Sequence, residues 1–484
     1  MNEHNSFIKS DNELKTKAYQ AVKNSQDKVR QDPYRLHYHI MPSVGLLNDP
    51  NGFVYYQGKY HLFYQWNPFG TNHSSKFWGH FSSKNLVDWH EEPIALAPSS
   101  WFDKNGCYSG SAIVHEDQLY LFYTGNVRDE NGDRETYQCL AISSDGVNFD
   151  KKGPVVQLPN GYTAHFRDPK VWKHEEKWYM IIGAQTEQVT GTVVLYESID
   201  LISWRFLGPI TERQDFGYMW ECPDLFSLND KDVLLFSPQG IEPEGYHYQN
   251  IYQSGYFVGK LDYQEVSYQH GRFEEIDRGF DFYAPQTTVD NKGRRLMFGW
   301  MGVPEENEQD HPTISHHWIH ALTMPRQLEL KDGKLFQHPV EELVNLRKEA
   351  VIYSDVVIKG EKIQMPRVNG NAVELFLEVK ENASRQFSVS FGNNTQVLFD
   401  QENKLVTLKR KSMKSNQLEK RQCHLNDFKN VRIFLDASSI EIFINGGEEV
   451  FTTRIFDDVK NDSIYFHSTG KMIIDINKWE LKQV

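Results

Sequence analysis

Short apolar runs, alternating with polar positions and broken by turn residues, fill most of this chain, and one run recurs. It is Tyr60-His61-Leu62-Phe63-Tyr64-Gln65. The later copies begin at Tyr120, Trp178, Val233 and Leu296, in steps of 60, 58, 55 and 63 residues. Each copy follows a shorter run across a turn, which holds Gly, Asn or Asp in four of the five, the signature of a hairpin. A second element, Ser82–Trp89, returns at Ser143–Phe149 and Ser198–Trp204, and its phase predicts a turn between the third and fourth strands of each unit. Repeats of this size point to a propeller or solenoid, because one small sheet cannot bury both faces alone. Before the repeats, Leu14, Ala18, Val22 and Val29 fall near helical spacing and predict a surface helix in an arm over 1–32, ending before Asp32-Pro33. After them, Val340, Leu343, Val344 and Leu346 predict a linker helix over 337–350. Strict alternation over 351–484, as in Val373–Val379 and Ile440–Ile444, predicts a β-sandwich.

The repeat matters most for what precedes each copy. Upstream lie Asn48-Asp49-Pro50, Ser109-Gly110-Ser111, Arg167-Asp168-Pro169, Glu221-Cys222-Pro223 and Tyr283-Ala284-Pro285. Each alone fits a plain turn, a surface ion pair or strand-entry packing. Together they place Asp49, Asp168 and Glu221 at one structural phase. In a propeller that phase converges on the axis, and three carboxyl groups gathered there repel one another unless function requires them. Glycosidic bond cleavage needs two carboxyl groups of unequal proton affinity, and a third can bind sugar hydroxyls.

Bulk composition narrows the partners. Hydrophobic residues make up 39% of the 484, charged residues 24% and aromatic residues 13%, as expected of a folded protein rather than a disordered one. The net charge of -14 argues against nucleic acid or an anionic membrane. The first residues have no apolar core of signal-peptide length, and no run is long enough to span a bilayer. Four scattered cysteines with no C-x-x-C pair argue against a disulfide scaffold or a zinc site. These features lead to the expectation of a cytoplasmic protein with a small-molecule substrate; its oligomeric state is left open.

The motif set is similar to glycoside hydrolase family 32, the invertases or β-fructofuranosidases. The resemblance rests on Asn48-Asp49-Pro50-Asn51-Gly52, Arg167-Asp168-Pro169 and Glu221-Cys222-Pro223, in this order, with Gln65-Trp66-Asn67-Pro68, Trp78-Gly79-His80, Tyr108-Ser109-Gly110-Ser111, Phe282-Tyr283-Ala284-Pro285-Gln286 and Leu322–Arg326. It covers about residues 33–484. It implies an all-β chain, a five-bladed β-propeller over 33–336 and a C-terminal β-sandwich over 351–484, and it implies retention of anomeric configuration. By resemblance Asp49 is the nucleophile, Glu221 the general acid and then base, and Asp168 a partner of fructose hydroxyls with Arg167 beside it. Cys222 would adjust Glu221. Asn48, Gln65, Trp66, Trp78, Tyr108, Ser109, Tyr283 and Trp300 would line the sugar site. Leu46 and Leu47 join this set, standing where the family often carries Trp-Met. No metal or organic cofactor is implied.

The entry Asp32–Pro42 and Tyr246–Asn250 resemble the intracellular bacterial members, which often hydrolyse sucrose 6-phosphate. No phosphate-binding glycine loop is present, and His37 and His39 are the candidates for a phosphate contact. The rival readings are a fructan hydrolase, an inverting propeller hydrolase with its carboxyl groups farther apart, and a fructan-binding propeller without activity.

Overall fold

A computed structural model of the chain describes residues 10–211, 216–415 and 417–484. The first element is the helix Asp11–Arg30. The Ser10 hydroxyl accepts from the Glu13 N–H at 3.1 Å and caps it. Asp11 and Glu13 in the first turn and Lys28 and Arg30 in the last complement the helix dipole. Leu14, Ala18 and Val29 are buried, and the Tyr19 hydroxyl accepts from the Ile94 N–H at 3.0 Å, so the helix docks on the first sheet.

Five antiparallel sheets follow. Their first strands are Gly45–Tyr56, Cys107–His115, Tyr162–His174, Met219–Leu228 and Tyr283–Val289, and the recurring run is the second strand of each. The first strands neighbour one another in a closed ring, the fifth returning to the first. A separate apolar cluster fills each gap between successive sheets, for example Leu119, Leu121 and Tyr123 against Phe63 and Trp78. The strands are thus buried on both faces, which explains their nearly continuous apolar runs. A late segment, Trp318–Ile319, adds to the first sheet in parallel with Gly45–Leu46 and ties the end of the ring to its beginning. The second recurring element is the turn its phase predicts. Asp145 Oδ1 accepts from the Val147 and Asn148 N–H groups, and Asp200 repeats this with Ile202 and Ser203.

Inside the ring, polar side chains lace neighbouring first strands together. Asn51 Oδ1 accepts from the Gly110 N–H at 2.8 Å, and Gln286 bridges the Phe53 N–H and the Gly110 carbonyl. Lys170 donates to Asp224 at 2.9 Å and to the Thr287 carbonyl at 2.7 Å. These bonds fix the relative rotation of the sheets, and hence where the motif residues meet.

The linker expectation is corrected. Gln337 belongs to the strand Lys334–Pro339, the helical part is a 3-10 turn at Glu341–Leu346, and Arg347 already begins a strand. Val340, Leu343 and Leu346 are spaced by three and all buried, which suits three residues per turn; Val344 points out, 49% exposed. The C-terminal part packs a six-stranded sheet on a five-stranded one around Leu375, Val389, Val397, Ile433, Ile442 and Phe466. It meets the propeller through buried charge. Arg326 binds Asp277 at 3.1 Å and Glu441 at 2.5 Å, with all three side chains fully buried. His39 lies between Asp436 (2.8 Å) and Glu441 (3.0 Å), and His37 also contacts Asp436 (2.8 Å). Burial opposes a proton on His39, but the two carboxylates overcome it and raise its pKa to about 9. His37 and His39 therefore serve the junction, not a phosphate pocket. Two side-chain partners at each of these buried carboxylates satisfy the acids there.

Candidate active site

The motifs share a local distortion. The ladder between the first and second strands of every sheet shifts register at the motif: between Leu47 and Pro50, Tyr108 and Gly110, Glu221 and Asp224, and Tyr283 and Gln286, and beside Asp168 in the third sheet. Four of the five motifs place a proline there, which has no N–H to offer the ladder. A bulge re-aims the side chains around it. Asp168 (φ 68°), Cys222 (φ 48°) and Ala284 (φ 46°) take the left-handed conformation that such residues normally avoid. The repeat thus sets where each acid stands, and the bulge sets where it points.

The result is a cavity of about 500 Å³ at one end of the axis. Its wall carries Asp49, Asp168 and Glu221 together with Asn48, Gln65, Tyr108, Ser109, Arg167, Cys222 and Tyr283. Asp49 is 4% exposed; its Oδ1 accepts from Gln65 Nε2 at 2.7 Å, and the same amide reaches Ser109 Oγ. Burial, aided by the Glu221 charge and opposed by Ser109 and Lys76, raises the Asp49 pKa to about 6. Asp168 accepts from the Cys222 N–H at 2.9 Å, and the Thr124 hydroxyl accepts from the Asp168 N–H at 2.9 Å. Burial raises the Asp168 pKa too; Arg167 pulls against it, while Glu221 and Asp49 push it further. The Cys222 thiol sits 3.6 Å from Asp168 Oδ2 and 3.9 Å from Asp49 Oδ2, between the two acids. Burial holds that thiol protonated, so it is a donor to them.

Glu221 is the most heavily held of the three. Arg167 grips its Oε1 through Nε (3.0 Å) and Nη2 (2.6 Å), while Gln239 (2.8 Å) and the Tyr283 hydroxyl (2.7 Å) donate to Oε2. With two donors on each oxygen, its position is fixed. Among the described residues no group of three or more His, Cys, Asp or Glu is arranged to hold a metal ion.

Five expected site residues lie elsewhere. Leu46, Leu47, Trp66, Trp78 and Trp300 are at most 1% exposed and absent from the cavity wall. The reason is strand alternation: Gln65 faces the cavity, so Trp66 faces away. The three indole N–H groups donate to the carbonyls of Val44, Tyr108 and Leu47, bracing the backbone behind the motifs. The aromatic wall is instead made of tyrosines 108, 218, 252 and 283. Sequence reasoning also missed Lys76, Arg134, His165, Gln239 and Glu305. A usable signal lay at the end of the second strands, where Gln65, Thr124 and Ser237 each bond the motif of the following sheet. Arg134 and His165 have no repeat phase that would mark them.

Known proteins are similar to this chain over nearly its whole length. Residues 39–339 match the glycosyl hydrolases family 32 N-terminal domain, and residues 342–480 match the family 32 C terminal. The chain is 54% identical to a sucrose-6-phosphate hydrolase of Bacillus subtilis (strain 168) over 477 residues, 97% of this chain and 99% of the relative. The structure of sucrose-6-phosphate hydrolase from Lactobacillus gasseri superposes with a TM-score of 0.88 at 34% identity, covering 96% of each chain. A mutant of a Bombyx mori GH32 beta-fructofuranosidase, solved in complex with sucrose, gives 0.86 at 35% identity over 98% of this chain and 99% of the other. The two family domains follow one another over most of the chain, which therefore belongs to glycosyl hydrolase family 32.

Proposed function

We propose that this protein is a β-fructofuranosidase that hydrolyses sucrose 6-phosphate, sucrose or both, releasing fructose and glucose or glucose 6-phosphate with retained configuration. The observation that carries this is the convergence of three carboxyl groups, two of them buried and the third half-buried, each beside a bulge, on one sugar-sized cavity. The names of the relatives support the substrate class.

In this reading Asp49 attacks the anomeric carbon of the fructosyl unit. A carboxylate buried almost out of water, with the Gln65 amide, the Ser109 hydroxyl and a thiol near its oxygens, is weakly solvated and correspondingly nucleophilic. Glu221 donates its proton to the departing glycosidic oxygen, then takes one from the water that releases fructose from Asp49. The donors around it fix where the side chain stands, and the Tyr283 hydroxyl can turn to accept once Oε2 carries the proton. Asp168 holds fructose hydroxyls, and its bond from the Cys222 backbone ties it to the Glu221 strand. The four cysteines are unpaired, which supports a reducing compartment such as the cytoplasm.

The test is release of reducing sugar from sucrose 6-phosphate and from sucrose. Activity on either, lost by orders of magnitude in Asp49→Ala, supports the assignment; near-normal turnover by that variant refutes it. Glu221→Gln should slow sucrose far more than a fructoside with an activated leaving group. Equal losses on both would remove Glu221 from the acid role.

A further inference from the structure

Three cations line the cavity, Lys76, Arg134 and Arg167. Two of them are already engaged. Arg167 is held by Glu221, and Lys76 hydrogen-bonds His73 at 2.8 Å, which in turn binds Glu308 at 2.9 Å. Arg134 differs: among the described residues it has no carboxylate partner, and its guanidinium lies 5.9 Å from the centre of the Tyr108 ring. The Glu305 carboxylate, also on the wall, accepts instead from the Tyr252 hydroxyl at 3.3 Å.

The setting of Arg134 is unfavourable for stability. It stands directly opposite Arg128 across the second and third strands of its sheet, and like charges in such a pair are destabilising. Burial first, and then the Arg167 and Arg128 charges, hold its pKa below the usual arginine value. A local excess of positive charge in a half-buried wall is what an incoming anion would relieve.

His165 adds a neutral donor beside it. Its Nδ1 lies 3.0 Å from Arg167 Nη1, a group that can only donate. Nδ1 is therefore the acceptor, and Nε2 carries the proton. Burial and the nearby Arg167 and Arg134 charges lower the His165 pKa to about 4, so the ring stays neutral near pH 7.

Both residues line the cavity with Glu221: His165 bonds Arg167, which grips Glu221, and the Arg134 guanidinium feels the Arg167 and Glu221 charges. The leaving group must lie where Glu221 reaches the glycosidic oxygen. We infer that Arg134 and His165 form a phosphate subsite, which receives the 6-phosphate of the glucosyl leaving group and selects phosphorylated over free disaccharide. This rests on the proposed β-fructofuranosidase reading. A guanidinium fits two phosphate oxygens at once, and the imidazole N–H takes a third.

The experiment compares kcat/KM for sucrose 6-phosphate with that for sucrose in the wild type, Arg134→Ala, Arg134→Lys and His165→Ala. The ratio should fall at least about ten-fold in Arg134→Ala, mostly through KM, and at least about three-fold in His165→Ala. Arg134→Lys should recover part of the loss, because it keeps the charge without the fork. A ratio in Arg134→Ala within about two-fold of wild type overturns the inference, as does an equal loss on both sugars. Binding read without turnover, by titrating sucrose 6-phosphate and sucrose onto Asp49→Asn protein with and without Arg134→Ala, separates the two claims. If the wild type cleaves neither sugar, the catalytic reading fails. A selective ten-fold weakening of the phosphorylated sugar still supports the subsite, and an unselective one overturns it.

Discussion

Replacing Asp49 by Asn should destroy activity and make the protein more stable, with a pH signature that identifies the cause. Asp49 is buried, and its pKa rises from 3.8 to about 6 on folding. The ionised form is therefore disfavoured in the folded state by about 3 kcal/mol, at 1.36 kcal/mol per pH unit. Above about pH 6 both states are ionised and the whole penalty is present. Between about 6 and 3.8 the folded protein binds the proton first, and the penalty shrinks as pH falls. Below 3.8 both states are protonated and it is gone. Asn does not titrate, and its carbonyl oxygen can keep the bond from Gln65 that Oδ1 now accepts. The variant should thus gain about 3 kcal/mol at pH 7.5 and roughly half as much at pH 5. Differential scanning calorimetry at the two pH values measures the gain as a rise in Tm of about 2–5 °C at pH 7.5 and a smaller one at pH 5. No gain at pH 7.5, or the same gain at both, would show that Asp49 is not held ionised against its surroundings. The prediction expresses the tension between stability and a catalytic group.

Three further outcomes follow from the same geometry. kcat/KM should fall about ten-fold per pH unit below about pH 6, because attack needs ionised Asp49; a rate that stays flat down to pH 5 contradicts this. His39→Phe should cost about 3–5 kcal/mol by removing one of the two imidazoles on Asp436 and weakening the hold on Glu441. In the wild type the His39 contribution is complete below 6.5 and lost as pH rises to about 9, so urea midpoints should decline across that window and not in the variant. Trp300→Phe should lower stability by about 2 kcal/mol, through the lost bond to the Leu47 carbonyl and the space left, while KM moves less than about three-fold; a larger change in KM with unaltered stability would return Trp300 to the cavity wall.

Much of the architecture was written in local pattern. Alternation, turn residues and a recurring run near 58 residues announce hairpins of a repeated sheet, because burial on both faces forces apolar runs and each sheet needs neighbours to cover it. The same phase put Asp49, Asp168 and Glu221 together although long stretches of chain separate them. Family motifs supplied roles that spacing could not. What the sequence left undetermined depends on direction and distance. The tryptophans at the ends of conspicuous strands looked like sugar platforms, yet a shift of one residue turns a side chain from the cavity to the core, and register is a property of the ladder. His37 and His39 looked available for a phosphate, yet their partners, Asp436 and Glu441, come from a distant part of the chain. The left-handed backbone at Asp168, Cys222 and Ala284 is imposed by bulges that no periodicity reveals. Arg134 and His165 belong to no repeat and reach the cavity only because the second and third sheets pack side by side. Sequence alone determined which elements form and which acids share a phase, since both follow from near neighbours. Tertiary structure alone decided which side chains face the cavity and which cation there has no carboxylate partner among the described residues, since charge and burial are set by residues remote in sequence.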